Sequence, residues 1–128
     1  MKNNKKILAI IGFFSIVISI NFAFQNPDPT TEIIGTWVHN EDNEISLEFL
    51  SNGKCKNLHN NELLDVFNYE ISDEDCTGYN SPITINYLKF IDVAENETYC
   101  YQVTISNDNN TLSLFYLERG TVEKYTRQ

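Results

Sequence analysis

From Ile33 to the end of the chain, apolar and polar residues alternate with a period of two, and no window of helical length repeats every ~3.6 residues. Such alternation belongs to strands with one face on a core and the other in solvent. Glu44 to Phe49 shows it most clearly, with Ile45, Leu47 and Phe49 interleaved with Glu44, Ser46 and Glu48. The pattern returns in Phe67, Tyr69 and Ile71, in Tyr99, Tyr101, Val103 and Ile105, and in Leu112, Leu114 and Tyr116. Turn-forming residues interrupt it at Asn40–Asn43, Ser51–Gly53, Asn60–Asn61, Ser72–Pro82, Ala94–Asn96, Asn107–Asn110 and Arg119–Gly120. The spacing predicts eight strands: Thr36–His39, Glu44–Leu50, Lys54–His59, Leu63–Ile71, Ile83–Val93, Glu97–Ile105, Thr111–Glu118 and Thr121–Arg127. Most connections are hairpin length, so the fold class is all-β, an antiparallel up-and-down meander. A meander of this length closes into a barrel, which removes its exposed edges.

The turn at Ser51-Asn52-Gly53 sets a register. A two-residue Asn-Gly loop would bring Lys56 across from Phe49, on the core face. A three-residue loop with Gly53 in the left-handed region pairs Leu50 with Lys54 instead. Cys55, Asn57 and His59 then share the face of Phe49, Leu47 and Ile45, and both lysines point to solvent. The second register is expected, because a one-residue slip would bury the lysines.

The chain begins differently. Met1 to Lys6 is cationic, Ile7 to Ile20 is uncharged and apolar, and Asn21-Phe-Ala-Phe24 leads into a polar, Pro-containing stretch. A basic segment, an apolar run and a small residue at Ala23 form the pattern of a secretory signal peptide. The alternative is an uncleaved anchor, since Ile7 to Phe24 is near the shortest length that spans a bilayer. The reading is a signal peptide at 1–23, a linker at 24–32 and a barrel domain at 33–128. Either alternative puts the body outside the cytoplasm, in a periplasm, at a cell surface or secreted.

Charge then narrows the partners. Three of the nine Lys and Arg residues stand in the first 24 positions, where there is no acid. The remainder therefore holds six cations against 18 carboxylates, a net charge of −12. A body that acidic is repelled by nucleic-acid phosphates and by anionic membrane surfaces. Neither is an expected partner, beyond the membrane that reads the export signal.

At the head of the meander stand Ile33-Ile-Gly35-Thr36-Trp37-Val38, followed by the Phe49-Leu-Ser-Asn-Gly53 hairpin and, at the end, Tyr125-Thr126-Arg127. Gly-x-Trp at the first strand, with an Arg in the last, resembles the lipocalins and in particular the small bacterial lipocalin-like domains. The Thr-Asp-Tyr motif of the larger family is absent and the body is shorter than a full lipocalin. The resemblance implies a barrel with a ligand in its interior, Gly35, Trp37, Tyr125 and Arg127 serving as structural residues at the closed end. Pairing of the last strand with the first would itself bring Arg127 beside Trp37, and in lipocalins a similar Trp–Arg arrangement plugs that end. By the same similarity, a ligand would pass the turns at Asn40–Asn43, Asn60–Asn61, Ala94–Asn96 and Arg119–Gly120, with His59 near the rim.

The interior candidates are Phe49, Phe67, Tyr69, Tyr99, Tyr101 and Tyr116, with Leu112 and Leu114. Asn57 and His59 would add the few polar groups that orient a ligand. An eight-stranded barrel is just wide enough to be filled by its own side chains or to hold one small ligand. Two functions stay open: a barrel binding a small apolar or amphiphilic molecule, or a packed barrel whose acidic exterior and loops bind another protein as an inhibitor or envelope component. No enzyme is expected, for no acid, base and nucleophile form a coherent set.

Cys55, Cys76 and Cys100 allow one internal disulfide and leave one thiol. Cys55 shares the inner face with Phe49, whereas Cys100 alternates with Tyr99 and Tyr101 and so faces outward. Cys76 lies in the longest loop, which can fold against the outside. The expected bridge is Cys76–Cys100. Cys55 and His59 are four apart on a strand, about 13 Å, too far for a shared ion or a nucleophile–base contact. The acidic runs Glu41-Asp42-Asn43-Glu44 and Asp73-Glu74-Asp75 lack the spacing of a calcium loop. No metal and no cofactor are expected.

Overall fold

The computed structural model describes residues 28–76 and 85–128. The segment read as a signal peptide, residues 1–23, lies outside them, as does the expected start of the fifth strand at Ile83. The strands are β1 Gly35–His39, β2 Ile45–Phe49, β3 Lys54–His59, β4 Glu62–Ser72, β5 Tyr87–Asp92, β6 Glu97–Ser106, β7 Thr111–Tyr116 and β8 Thr121–Arg127. Each pairs antiparallel with its sequence neighbours, and β8 pairs with β1, so the eight strands make one closed barrel.

Local chemistry sets the hairpins. Gly53 has φ +81° and the Leu50 N–H donates to the Lys54 carbonyl at 2.9 Å, which opposes Phe49 to Cys55 and Leu47 to Asn57. Cys55 is buried while Lys54 is exposed, as the register that spares the lysines requires. The β3–β4 turn puts Asn60 and Asn61 at φ 50° and 63°, and the β6–β7 turn does the same with Asn107, Asp108 and Asn109. Asn and Asp tolerate this left-handed backbone better than other residues with a Cβ.

One irregularity re-aims a strand. The β3–β4 register runs His59–Glu62 and Leu58–Leu63, then shifts so that Asn57 opposes Asp65 and Cys55 opposes Phe67. Leu64 is the extra residue of a bulge, and the shift turns Asp65, Phe67 and Tyr69 inward.

The two ends of the barrel differ. A four-residue helix, α1 (Pro29–Glu32), lies within the stretch read from sequence as linker and packs across the end where β1 begins. Its first turn is capped by Asp28, whose carboxylate accepts from the Thr30 N–H at 3.0 Å and the Thr30 hydroxyl at 2.7 Å. Those bonds hold the Asp28 carboxyl below the usual range. Four residues are too short to show a helical period, so no alternation pattern could announce α1.

Ile33, Trp37, Phe49, Cys55, Leu88, Leu112 and Leu114 form the fully buried core. The Trp37 indole donates to the Ile33 carbonyl at 2.7 Å, and the Arg127 guanidinium carbon lies 4.2 Å above the ring. Arg127 also donates through Nε to Asn109 O at 2.7 Å, through Nη1 to Ile34 O at 3.0 Å, and through Nη2 to Glu32 O. One side chain thus ties α1, the β6–β7 turn and the last strand to the indole. Gly35 makes room for it: with φ +135°, a Cβ there would sit 2.9 Å from Arg127 Nη1. This explains why Gly precedes Trp by two residues.

Outside the barrel, Cys76 and Cys100 form a disulfide with Cα atoms 5.9 Å apart, and Cys55 is the buried free cysteine.

Candidate functional site

The core occupies only the half of the barrel nearest α1. Phe49 and Tyr69 belong to this filled half: their rings meet edge to face at 5.1 Å, and the Tyr69 hydroxyl donates to Leu50 O at 2.6 Å. Neither lines the open space above, because the closing rings fill the barrel at their level.

Towards the opposite rim the interior is hollow. A cavity of ≈ 370 Å³ is bounded by Ile45 and Leu47 of β2, Asn57 of β3, Asp65 and Phe67 of β4, Phe90 and Asp92 of β5, Tyr99 and Tyr101 of β6, Leu114 of β7, Glu123 and Tyr125 of β8, and His39 at the end of β1. It adjoins a wider vestibule of ≈ 950 Å³ that shares His39, Tyr99, Tyr101 and Glu123 and adds Tyr116, Arg119 and the strand Thr121–Lys124. Two-residue alternation delivers these groups: each strand places one or two inward residues at rim level and passes its next ones to the core.

The floor and one wall are aromatic. Phe90 stacks on Phe49 at 5.9 Å, meets Phe67 at 5.6 Å and receives Tyr101 edge-on at 5.6 Å. Tyr101 then stacks on Tyr116 at 4.9 Å. The rings form a continuous series from the closed end to the rim.

The polar groups of the site are mainly acids and phenols. Tyr125 donates to Glu123 at 2.9 Å, Tyr116 to Glu118 at 2.6 Å, and Tyr99 to Glu97 in a very short bond. Donation to Glu97, then burial, pushes the Tyr99 phenol up to about 12. Burial, reinforced by Glu123, pushes Tyr101 up to about 12, and the same two causes push Tyr125 up further. All three phenols are therefore protonated at neutral pH. Burial also raises the Cys55 thiol well above its ordinary range, with a smaller push from Glu48. A neutral thiol in the core is no nucleophile. His39 Nδ1 accepts from the backbone N–H groups of Glu41 and Asp42 at 3.1 and 3.2 Å.

Of the residues singled out from sequence, Asn57, Phe67, Tyr99 and Tyr101 meet in the cavity and Tyr116 borders the vestibule. His59 stands farther out, its Nε2 3.3 Å from Glu44 Oε2, and does not line the cavity. Asp65, Phe90, Asp92, Glu123 and His39 were not foreseen. Parity could have found two of them, since Asp92 and Glu123 share the faces of Phe90 and Tyr125, whereas Asp65 turns inward through the bulge at Leu64. Charged residues at strand ends ordinarily read as solvent-facing, which hid them.

β4 is also incompletely paired. Its pairing with β5 ends at Asn68–Ile91, so Glu62 to Phe67 bond only to β3. In this stretch Leu63 and Val66, on the outer face, and Leu64 at the bulge are 55%, 44% and 59% exposed.

No known family, curated protein or solved structure matches the chain.

Proposed function

We propose that this protein is an exported, lipocalin-like binding protein that holds one small amphiphilic molecule in the rim half of its barrel. The observation carrying the reading is the cavity itself: ≈ 370 Å³ of open interior above a solid core. Ligand sites characteristically occupy a few hundred Å³, with apolar walls and a few placed polar groups. Here the walls are Phe67, Phe90, Leu47 and Leu114, and the polar groups come from Asn57, the tyrosine hydroxyls and the rim acids. A barrel built only for stability gains by filling such a space, because every unfilled methyl-sized gap forfeits contacts. The Gly35–Trp37–Arg127 plug supports the likeness to lipocalins, and the Cys76–Cys100 disulfide suits an oxidising compartment outside the cytoplasm. The buried neutral thiol and protonated phenols suit a binding role rather than catalysis.

Native mass spectrometry of the protein purified undenatured from the cells that make it tests the reading. The expected result is a non-covalent, one-to-one adduct of small-molecule mass, on a chain whose N-terminus is Phe24. An empty barrel in repeated preparations overturns the binding function, and an intact Met1 overturns cleavage at Ala23.

A further inference from the structure

We infer that the cavity selects a cation: a protonated amine or quaternary ammonium carried on a compact apolar body. This rests on the proposed binding function and specifies its ligand class. Asp65, Asp92 and Glu123 all line the inner cavity, and no Lys or Arg among the described residues does. The one basic side chain lining it among the described residues, His39, has Nδ1 occupied as an acceptor by two backbone N–H groups. Arg119 and Lys124 border only the outer vestibule.

The acids are partly committed, but to neutral donors. Asp92 accepts from the N–H groups of Ala94 and Glu95 at 3.1 and 3.2 Å, and Glu123 accepts from the Tyr125 hydroxyl. None of the three has a cationic partner among the described residues. Three like charges around one opening repel one another, and a bound cation relieves that repulsion. Phe67, Phe90, Tyr99 and Tyr101 line the same space, and an aromatic face, unlike an edge, attracts positive charge.

The arrangement favours an organic cation over a metal ion. The carboxylates stand on three different strands around the wall. Among the described residues, no three His, Cys, Asp or Glu side chains converge closely enough to hold a metal. An ammonium group is satisfied by diffuse negative potential and ring faces, while its hydrocarbon body replaces water against Leu47, Phe90 and Leu114.

Isothermal titration of the purified protein with phenylbutylamine, phenylbutanol and phenylbutyrate, near neutral pH and at low salt, compares one body with three charges. The amine is expected to bind about tenfold tighter than the alcohol, and the carboxylate not measurably. Asp65→Asn and Glu123→Gln should each weaken the amine about threefold or more and leave the alcohol unchanged. Glu70→Gln, on the outer face of β4, should change neither. Equal affinity for amine and alcohol, or a preference for the carboxylate, would overturn cation selection while leaving the binding cavity standing. Weakening of the amine by Glu70→Gln as much as by Asp65→Asn would assign the preference to overall charge and overturn it too. No binding of any of the three would overturn both readings.

Discussion

Replacing Arg127 by Ala removes one side chain, yet it should cost a large part of the barrel's stability. The guanidinium lies 4.2 Å over the Trp37 ring and donates to the carbonyls of Glu32, Ile34 and Asn109. A hydrogen bond from a charged donor contributes roughly 1.5–3 kcal/mol. The three acceptors lie at the half-exposed end of the barrel and regain water in the variant, so about half of the gross sum is retained as loss. The ring contact adds roughly 1–2 kcal/mol, between the exposed and desolvated values. The expected destabilisation is about 3–6 kcal/mol, against a total of roughly 5–15 kcal/mol for a domain of this kind. With a slope of roughly 1–1.5 kcal/mol per molar urea, the midpoint should fall by at least about 2 M. Arg127→Lys keeps the charge but loses the planar fork, and should fall between the two. Urea unfolding followed by far-ultraviolet circular dichroism and by the fluorescence of the single Trp measures both, with Arg119→Ala at the exposed β7–β8 turn as the control. If Arg127→Ala stays within ~0.5 kcal/mol of the parent, α1 and the closing strand are held by something other than this clamp, and the reasoning fails.

Reducing the Cys76–Cys100 bridge, which closes a loop with a sequence separation of 24, should cost about 3 kcal/mol in the chain-entropy account; thermal unfolding with and without reductant checks it. Cys55 should resist a thiol reagent in the native protein and react fully in denaturant, because burial holds its thiol protonated; fast native labelling would contradict the packed closed end. Tyr101 is pushed up to about 12, so the folded state holds that proton longer than the unfolded chain. Its contribution is complete below about pH 10 and is lost as pH rises from there through about 12, so Tyr101→Phe should raise the alkaline unfolding midpoint. A pH-jump unfolding curve unchanged by that substitution would refute it.

The strand pattern by itself determined the architecture. Period-two alternation from Glu44 to Tyr116, interrupted by Asn, Asp and Gly, is a local signal, and closure follows because eight hairpin-linked strands have no better way to lose their edges. The Gly53 register and the Cys76–Cys100 bridge were legible for the same reason: faces follow from parity, and a charge in the core is costly. The placement of Arg127 near Trp37 follows from antiparallel closure. Tertiary structure alone decided how deep the packing reaches. Parity says that Phe49, Tyr69 and Tyr101 all point inward; it does not say that the first two belong to the filled end while Tyr101 borders a hollow. The bulge at Leu64 likewise has no local sign. Counting from the Asn60–Asn61 turn would put Leu64 inward and Phe67 outward, and counting back from Tyr69 gives the reverse. One extra residue reconciles the two, because the aromatic core gains more from Phe67 and Tyr69 than the ladder loses at one unpaired position. That same residue turns Asp65 into the cavity, so the sign of the charge at the mouth depends on a packing compromise between two strands.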